Sequence, residues 1–397
     1  MSNNTQKIKI DNLLKYTTEL IHGTASKKSA LNLGILNTDY SPEDILETLD
    51  AVIDNNYSLS QLKPASARLF HILFNTLKKQ HTKQYQHDVL TILQKDNNGV
   101  ISELANGKQY IKQINKIQNR ETINFLLILF NNLQQFLNHY TVMQNSIFPE
   151  IEKSMKHHQC LKIMWSYHDD IKKNIKSAKD ILNSSPFDLH KFNKISSRIY
   201  FDINTTVFRE EYILFELLNK QLHNEDSSRL PAHFSDFKLK YADTYSIDQL
   251  TQKNQPDYGL SDDSTITLPT GKITAKQIEL IFNHLPVDIT FVDEHNRVKY
   301  FSNPKNRLFP RTTGIIDRLV QNCHPAQSVD TVNKIIESFK NGSKDSASFW
   351  IHLEEQFVLI QYFAVRDKNK IYKGIVEVSQ EISDIQKLSG DHRLLDW

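Results

Sequence analysis

The sequence predicts a multidomain chain. Its first two-thirds are all-α, a helical domain plus a four-helix bundle, and an α+β domain with a five-stranded antiparallel sheet follows. Three observations point there. Helical spacing of apolar residues persists from Ser41 to Leu222, a polar, turn-rich stretch interrupts it over about 224–270, and period-two alternation takes over at Asp288. The 397 residues also exceed one domain at ~100–200 residues each.

Ser41-Pro42-Glu43-Asp44 is a helix start: a serine cap, proline in the first turn, and acids against the positive end of the dipole. Ile45, Leu46, Leu49 and Ile53 follow at helical spacing, and a second helix is expected over Ala65–Leu77. These form a small helical domain, 1–95. The bundle, 96–223, uses a short helix near Ile101–Ile117 and three long ones: Arg120 to about Phe148, Cys160 to about Leu182, and about Asp188 to Leu222. Each carries one apolar stripe, as bundle helices do. Residues 224–270 read as a linker. In the last domain, 271–397, Asp288–Asp293 and Val298–Phe301 flank the turn Glu294–Arg297. A helix over Val329–Phe339 precedes three strands, Ala347–Leu353, Gln356–Arg366 and Ile371–Val378.

Composition excludes several function classes. Lys+Arg 48 against Asp+Glu 46 leaves +2, too balanced for a nucleic-acid footprint. No apolar run suits a membrane span and no signal-peptide core opens the chain, so a cytoplasmic protein is expected. Two cysteines, Cys160 and Cys323, make neither a disulfide framework nor a four-cysteine zinc site. Only ten glycines occur; Gly107-Lys108 and Gly271-Lys272 lack the upstream glycine of a P-loop. G-x-G-x-x-G and G-x-S-x-G are missing too. No enzymatic activity is expected.

The segments LPVDITFVDEHNRVKYFSNPKNRLFPRT, NCHPAQSVDTVNKIIESFKNG, ASFWIHL and RLLDW resemble a PAS domain. More narrowly, the chain resembles a bacterial family that joins an N-terminal helical domain of unknown function to a hemerythrin-like (HHE cation-binding) bundle and a C-terminal PAS domain. HYTVMQNSIFPEIEK, IMWSYHDDI and FREEYILFELL carry the bundle part. The resemblance implies a PAS sensor domain whose cavity holds haem, flavin or a metabolite, or stays closed, and a bundle that binds iron.

In the bundle, His139, His168 and Glu210 each interrupt an apolar stripe, and Glu211 adjoins them. Polar groups at buried positions on three helices call for partners or a metal. Both readings stand: iron ligands, or a polar core in which His168 pairs with Glu210. The family pattern breaks at Met143 and Gln144, where a carboxylate is usual, and no histidine lies between His87 and His139. His157-His158-x-Cys160 reads as a loop rather than a zinc site.

In the sensor domain, Cys323-His324 is the candidate cofactor contact. His324 can ligate haem iron against Ile315, Leu319, Val332, Ile335 and Phe339, or His-Pro can merely open the helix. Phe349, Ile351 and Leu353 share one strand face, and Trp350 and His352 the other. The outer sheet face is expected under the Ile273–Leu285 helix or a second subunit. The exit segment Val378–Leu388 leads to no catalytic domain before Trp397. The expected function is a sensory protein that passes its signal to the helical domains, to a homodimer partner or to an unidentified protein, with no nucleic acid and no membrane. Two alternatives remain: an iron protein responding to oxygen or nitric oxide, and a structural adaptor with a closed PAS core.

Overall fold

A computed structural model describes residues 3–55, 57–82, 84–222, 238–242, 265–353 and 355–391. The chain divides into two compact units, Met1–Gln255 and Pro256–Trp397.

The first unit is helical. It contains α1 (Asn3–His22), α2 (Lys27–Asn32), α3 (Pro42–Asp54), α4 (Leu59–Gln80) and α5 (Asp88–Ile114). There follow α6 (Arg120–Val142), α7 (Phe148–Ser154), α8 (Leu161–Asn183), α9 (Leu189–Arg209) and α10 (Phe215–Gln221). The cap on α3 is as expected: Ser41 N–H donates to Asp44 at 2.7 Å and Asp44 N–H to Ser41 Oγ at 3.3 Å. Helix α4 begins six residues before the expected Ala65, with Pro64 inside it. The backbone bond that proline removes is offset by burial of Leu62, Ala65 and Leu69 along the same helix.

Residue 95, where a domain boundary was expected, falls within α5, whose buried apolar residues up to Leu93 join one core and from Val100 the other. One core joins Leu13, Ile45 and Leu69 of α1, α3 and α4 to Phe148 of α7 and Phe215 of α10. The other fills the four-helix bundle: Val100 and Leu104 of α5, Phe130 and Leu133 of α6, Ile171 of α8 and Ile203 of α9. Two helix junctions are π-turns, Met143–Ile147 between α6 and α7 and Glu210–Leu214 between α9 and α10. In each the i→i+5 bond closes, Phe148 N–H to Met143 O and Phe215 N–H to Glu210 O. Such turns often mark functional positions.

Part of the expected linker is packed on this unit. Leu239 and Ala242 are buried, and Lys238 O accepts from Asn138 at 3.0 Å. Gly99 permits this approach, since a Cβ there would stand 2.1 Å from Tyr241 Cβ. Most of the remaining linker lies outside the described residues.

The second unit opens with a hairpin that the sequence reading did not expect, β1 (Thr265–Leu268) inside the expected linker and β2 (Gly271–Thr274) just past it. Helix α11 (Ala275–His284) follows, capped by Thr274, then β3 (Asp288–Asp293), β4 (Val298–Phe301), α12 (Ala326–Lys340), β5 (Ser346–Leu353), β6 (Gln356–Arg366) and β7 (Tyr372–Glu381). β3 to β7 make one antiparallel five-stranded sheet in the order β4-β3-β7-β6-β5, the architecture expected. The expected RLLDW motif falls outside the described residues. None of the described helices is long and apolar enough to cross a membrane.

Strand register sets the faces. Thr290 pairs with Glu377, Val292 with Ile375, and Tyr362 with Glu377, so these side chains share the inner face. Ile315, Ile336 and Phe339 cover its apolar end against Val292, Val298 and Ile375. On the outer face, α11 touches the β4 edge, with Phe282 and Tyr300 ring centroids 5.7 Å apart. Trp350 remains 65% exposed there, so the helix covers only part of that face.

Candidate functional site

Two polar clusters are built into otherwise apolar interiors. The first sits at the centre of the bundle. His139, fully buried on α6, is held between two carboxylates: Nδ1 lies 3.0 Å from Asp96 Oδ2 and Nε2 3.1 Å from Glu210 Oε2. Burial opposes the charged ring, but Glu210 and Asp96 prevail and hold its pKa at about 9. At neutral pH His139 is therefore an imidazolium donating both N–H groups. Asn97 Nδ2 also donates to Glu210 at 3.0 Å, and Asp96 Oδ1 accepts from Tyr241 N–H at 2.6 Å.

His168 behaves oppositely. Burial, His139 and Lys63 push its pKa well below normal, so it is neutral. It stacks on Tyr140 at 4.0 Å, and Gln144 donates to its Nδ1 at 3.0 Å. Its Nε2 faces Glu210 Oε1 at 3.9 Å, and neither atom has a hydrogen-bond partner among the described residues. Glu211 lies beside the cluster on Asn97; burial and the Glu210 charge raise it to about 7.

The structure thus brings His139, His168 and Glu210 together, with Glu211 at the edge. Iron does not fit them as arranged. A ligating imidazole must offer a lone pair, and both His139 nitrogens face carboxylates, at 3.0 and 3.1 Å, so iron would have to displace one of these contacts. The imidazolium supplies the positive charge that a metal would bring between Asp96 and Glu210. Among the described residues no three His, Cys, Asp or Glu side chains converge as a metal site requires. Asp96 and Asn97 escaped the sequence reading because they lay at the supposed domain boundary. Their signal was the stripe Leu93, Asp96, Asn97, Val100, Leu104, interrupted by polar groups at helical spacing. His157 and His158 turn to other partners, Asp50 at 3.8 Å and Met155 O at 3.0 Å.

The second cluster occupies the end of the inner sheet face opposite the apolar core. Asp288 and Thr290 on β3, Glu377 and Ser379 on β7 are all buried. Arg307 and Arg311 reach them from the segment after β4. Arg307 Nη2 donates to Thr290 Oγ1 at 3.1 Å, and its Nε lies 3.9 Å from Asp288. Burial lowers its pKa to about 10 although Asp288 opposes this, so it stays charged at neutral pH. Asp288 accepts the Leu308 N–H at 2.8 Å, which pins the arginine-bearing segment to the sheet.

Arg311 is less satisfied. Its Nη2 stands 3.8 Å from Glu377 Oε2, beyond hydrogen-bonding distance, and its buried Nε has no partner among the described residues. His324 is half-buried facing this pair, and its pKa is lowered by burial against the pull of Glu377. Burial and the Glu377 charge together raise the Tyr362 phenol. Haem does not fit here. The expected walls Ile315 and Phe339 are closed directly on the sheet, Leu319 is 38% exposed, and His324 faces charges rather than an apolar slot. Cys323 Sγ points to Leu319 O at 3.7 Å. Beside this face, between α12 and β5, opens a cleft of about 160 Å³ lined by Lys334, Ser338, Lys344 and Ser346.

Residues 278–383 match the family described as PAS domain. A crystal structure of a C-terminal domain from Streptococcus mutans is similar at 31% identity, covering 32% of this chain and 100% of that one, with a TM-score of 0.31. The PAS domain of a protein from Colwellia psychrerythraea is similar at 13% identity, covering 28% of this chain and 97% of that one, with a TM-score of 0.23. Among curated proteins no match is found.

Proposed function

We propose that this chain, whose residues 278–383 are a PAS domain, is a sensory protein that carries out no reaction of its own. Its PAS domain takes a small polar ligand at the charged end of the inner sheet face. The observation that supports this reading is the Arg311–Glu377 pair. A core closed for structural purposes would hold apolar residues or a fully bonded ion pair, because a half-satisfied buried pair is costly. Here the two charges stop at 3.8 Å, and Arg311 Nε is unpartnered. A molecule offering an acceptor to Arg311 and a donor to Glu377 completes both.

Arg307 positions the arginine segment, and Tyr362 and His324 bound the site. Ligand contact with Glu377 biases β7, the strand that feeds the exit segment, so binding shifts the population of the terminal segment's arrangements.

A thermal-shift screen of the full chain against amino acids, amides and small amines tests this. The expected result is a ligand that raises Tm in the native protein and loses its effect in Arg311→Met and Glu377→Gln. The reading is overturned if no compound acts, or if every active compound acts equally on both variants. A Soret band abolished by His324→Ala would replace it with haem sensing.

A further inference from the structure

The edges of the five-stranded sheet, β4 and β5, differ in how they meet solvent. β4 is short and carries Lys299, and the chain that follows covers its backbone: Val298 N–H donates to Arg318 O at 3.0 Å, and Asp317 N–H to Val298 O at 2.7 Å. A bulge interrupts its pairing with β3 between Phe291 and Val292. Shortness, a lysine, a bulge and a cover are the devices that stop a sheet edge from pairing further.

β5 has none of them. Its sequence, Ser346-Ala-Ser-Phe-Trp-Ile-His-Leu353, contains no Lys, Arg, Asp, Glu or Pro, and its register with β6 runs unbroken from Ser346↔Phe363 to Leu353↔Gln356. Phe349, Trp350 and Ile351 are 39%, 65% and 41% exposed. The register also fixes which backbone groups point outward. Ala364 N–H donates to Asp345 O at 2.9 Å, so residue 345 bonds to β6, and in an antiparallel ladder that property alternates along the strand. Residues 347, 349, 351 and 353 therefore bond to β6, while Ser346, Ser348, Trp350 and His352 direct their N–H and C=O away from it. None of these outward groups has a backbone partner among the described residues.

From this uncharged, unbulged edge we infer that β5 pairs antiparallel with β5 of a second copy, about a two-fold axis at Phe349, so that one sheet runs through a homodimer. Across the axis Ser348 meets Trp350 and Ser346 meets His352, each pair exchanging both of its N–H···O bonds. Every outward residue is then used; a register centred on any other residue leaves one of them unpaired. The side chains are self-complementary in the same register. Serines face Trp350 and His352 on the outer side of the sheet, Ala347 faces Ile351 on the inner side, and Phe349 meets its own counterpart at the axis. No like charges are brought together. An isologous contact of this kind closes on itself, so the assembly stops at two chains.

Sedimentation of the full chain is expected to show a dimer, and Ser348→Pro and Trp350→Lys to show monomers with native circular dichroism. The proline removes an outward N–H and no bond to β6, and the lysines set like charges diagonally across the axis. The register is tested separately by cross-linking in a Cys323→Ser background. Phe349→Cys is expected to join two chains on mild oxidation, because Cα atoms of such a pair stand about 4.5 Å apart, within disulfide reach. Ile351→Cys, opposite Ala347, is expected not to. A monomeric native chain, a dimer that survives both edge variants, or cross-linking by Ile351→Cys in place of Phe349→Cys overturns the inference. Should the edge variants fail to fold, the cross-linking decides.

Discussion

A buried imidazolium between two carboxylates behaves differently from a metal centre, and His139 exposes the difference through pH. Its folded pKa of about 9 lies above the ~6.5 of an unfolded histidine. The stability it adds is complete below about pH 6.5 and is lost as pH rises through 9. Urea titrations across that range should show a falling midpoint in the native protein, and chelators should leave it unchanged. His139→Ala strands Asp96 and Glu210 as facing buried carboxylates, so a loss of roughly 3–5 kcal/mol is expected, together with disappearance of the alkaline slope. A variant as stable as the native chain would refute the ion triad. His139, His168 and Glu210 were legible in the sequence because each breaks an apolar stripe. Arg209 was not: an arginine before two glutamates looks like a solvated residue, yet Arg209 and Glu210 are both buried.

At the scale of elements, caps and strand alternation carried most of the information. Ser41 and Asp44 announce α3, and β3, β5, β6 and β7 fall within a few residues of their expected limits. What escaped depends on contacts distant in sequence. The packed segment around Tyr241 lies in a polar stretch with no periodicity. Its docking rests on Gly99 and Asp96, more than a hundred residues earlier. Gly99→Ala therefore tests an element rather than a residue. The new methyl and Tyr241 Cβ cannot coexist, so residues 238–242 should lift off the bundle while α5 itself gains helix propensity. Hydrogen exchange at the Tyr241 amide, bonded to Asp96 in the native protein, should accelerate strongly. Unchanged protection there would show that the helix shifts to accommodate the methyl instead.

Across the whole molecule, the change from a 3.6-residue to a two-residue period was enough to place helices before a sheet. It could not reveal how the helical part packs, because α5 is one unbroken helix through residue 95 and the first core draws residues from both sides of that point. Local periodicity reports which face of a helix is buried, not which partner buries it. Two compact units with separate cores should unfold separately. Calorimetry of the full chain is expected to give two transitions, and fragments 1–255 and 256–397 should each reproduce one of them. The buried ion triad belongs wholly to the first, so raising the pH from 6.5 to above 9 should lower that transition through His139. In His139→Ala the second transition should stay in place. Movement of both transitions with this one substitution would mean that the units are energetically coupled, and would make the bundle's charge state part of what the sensor domain reads.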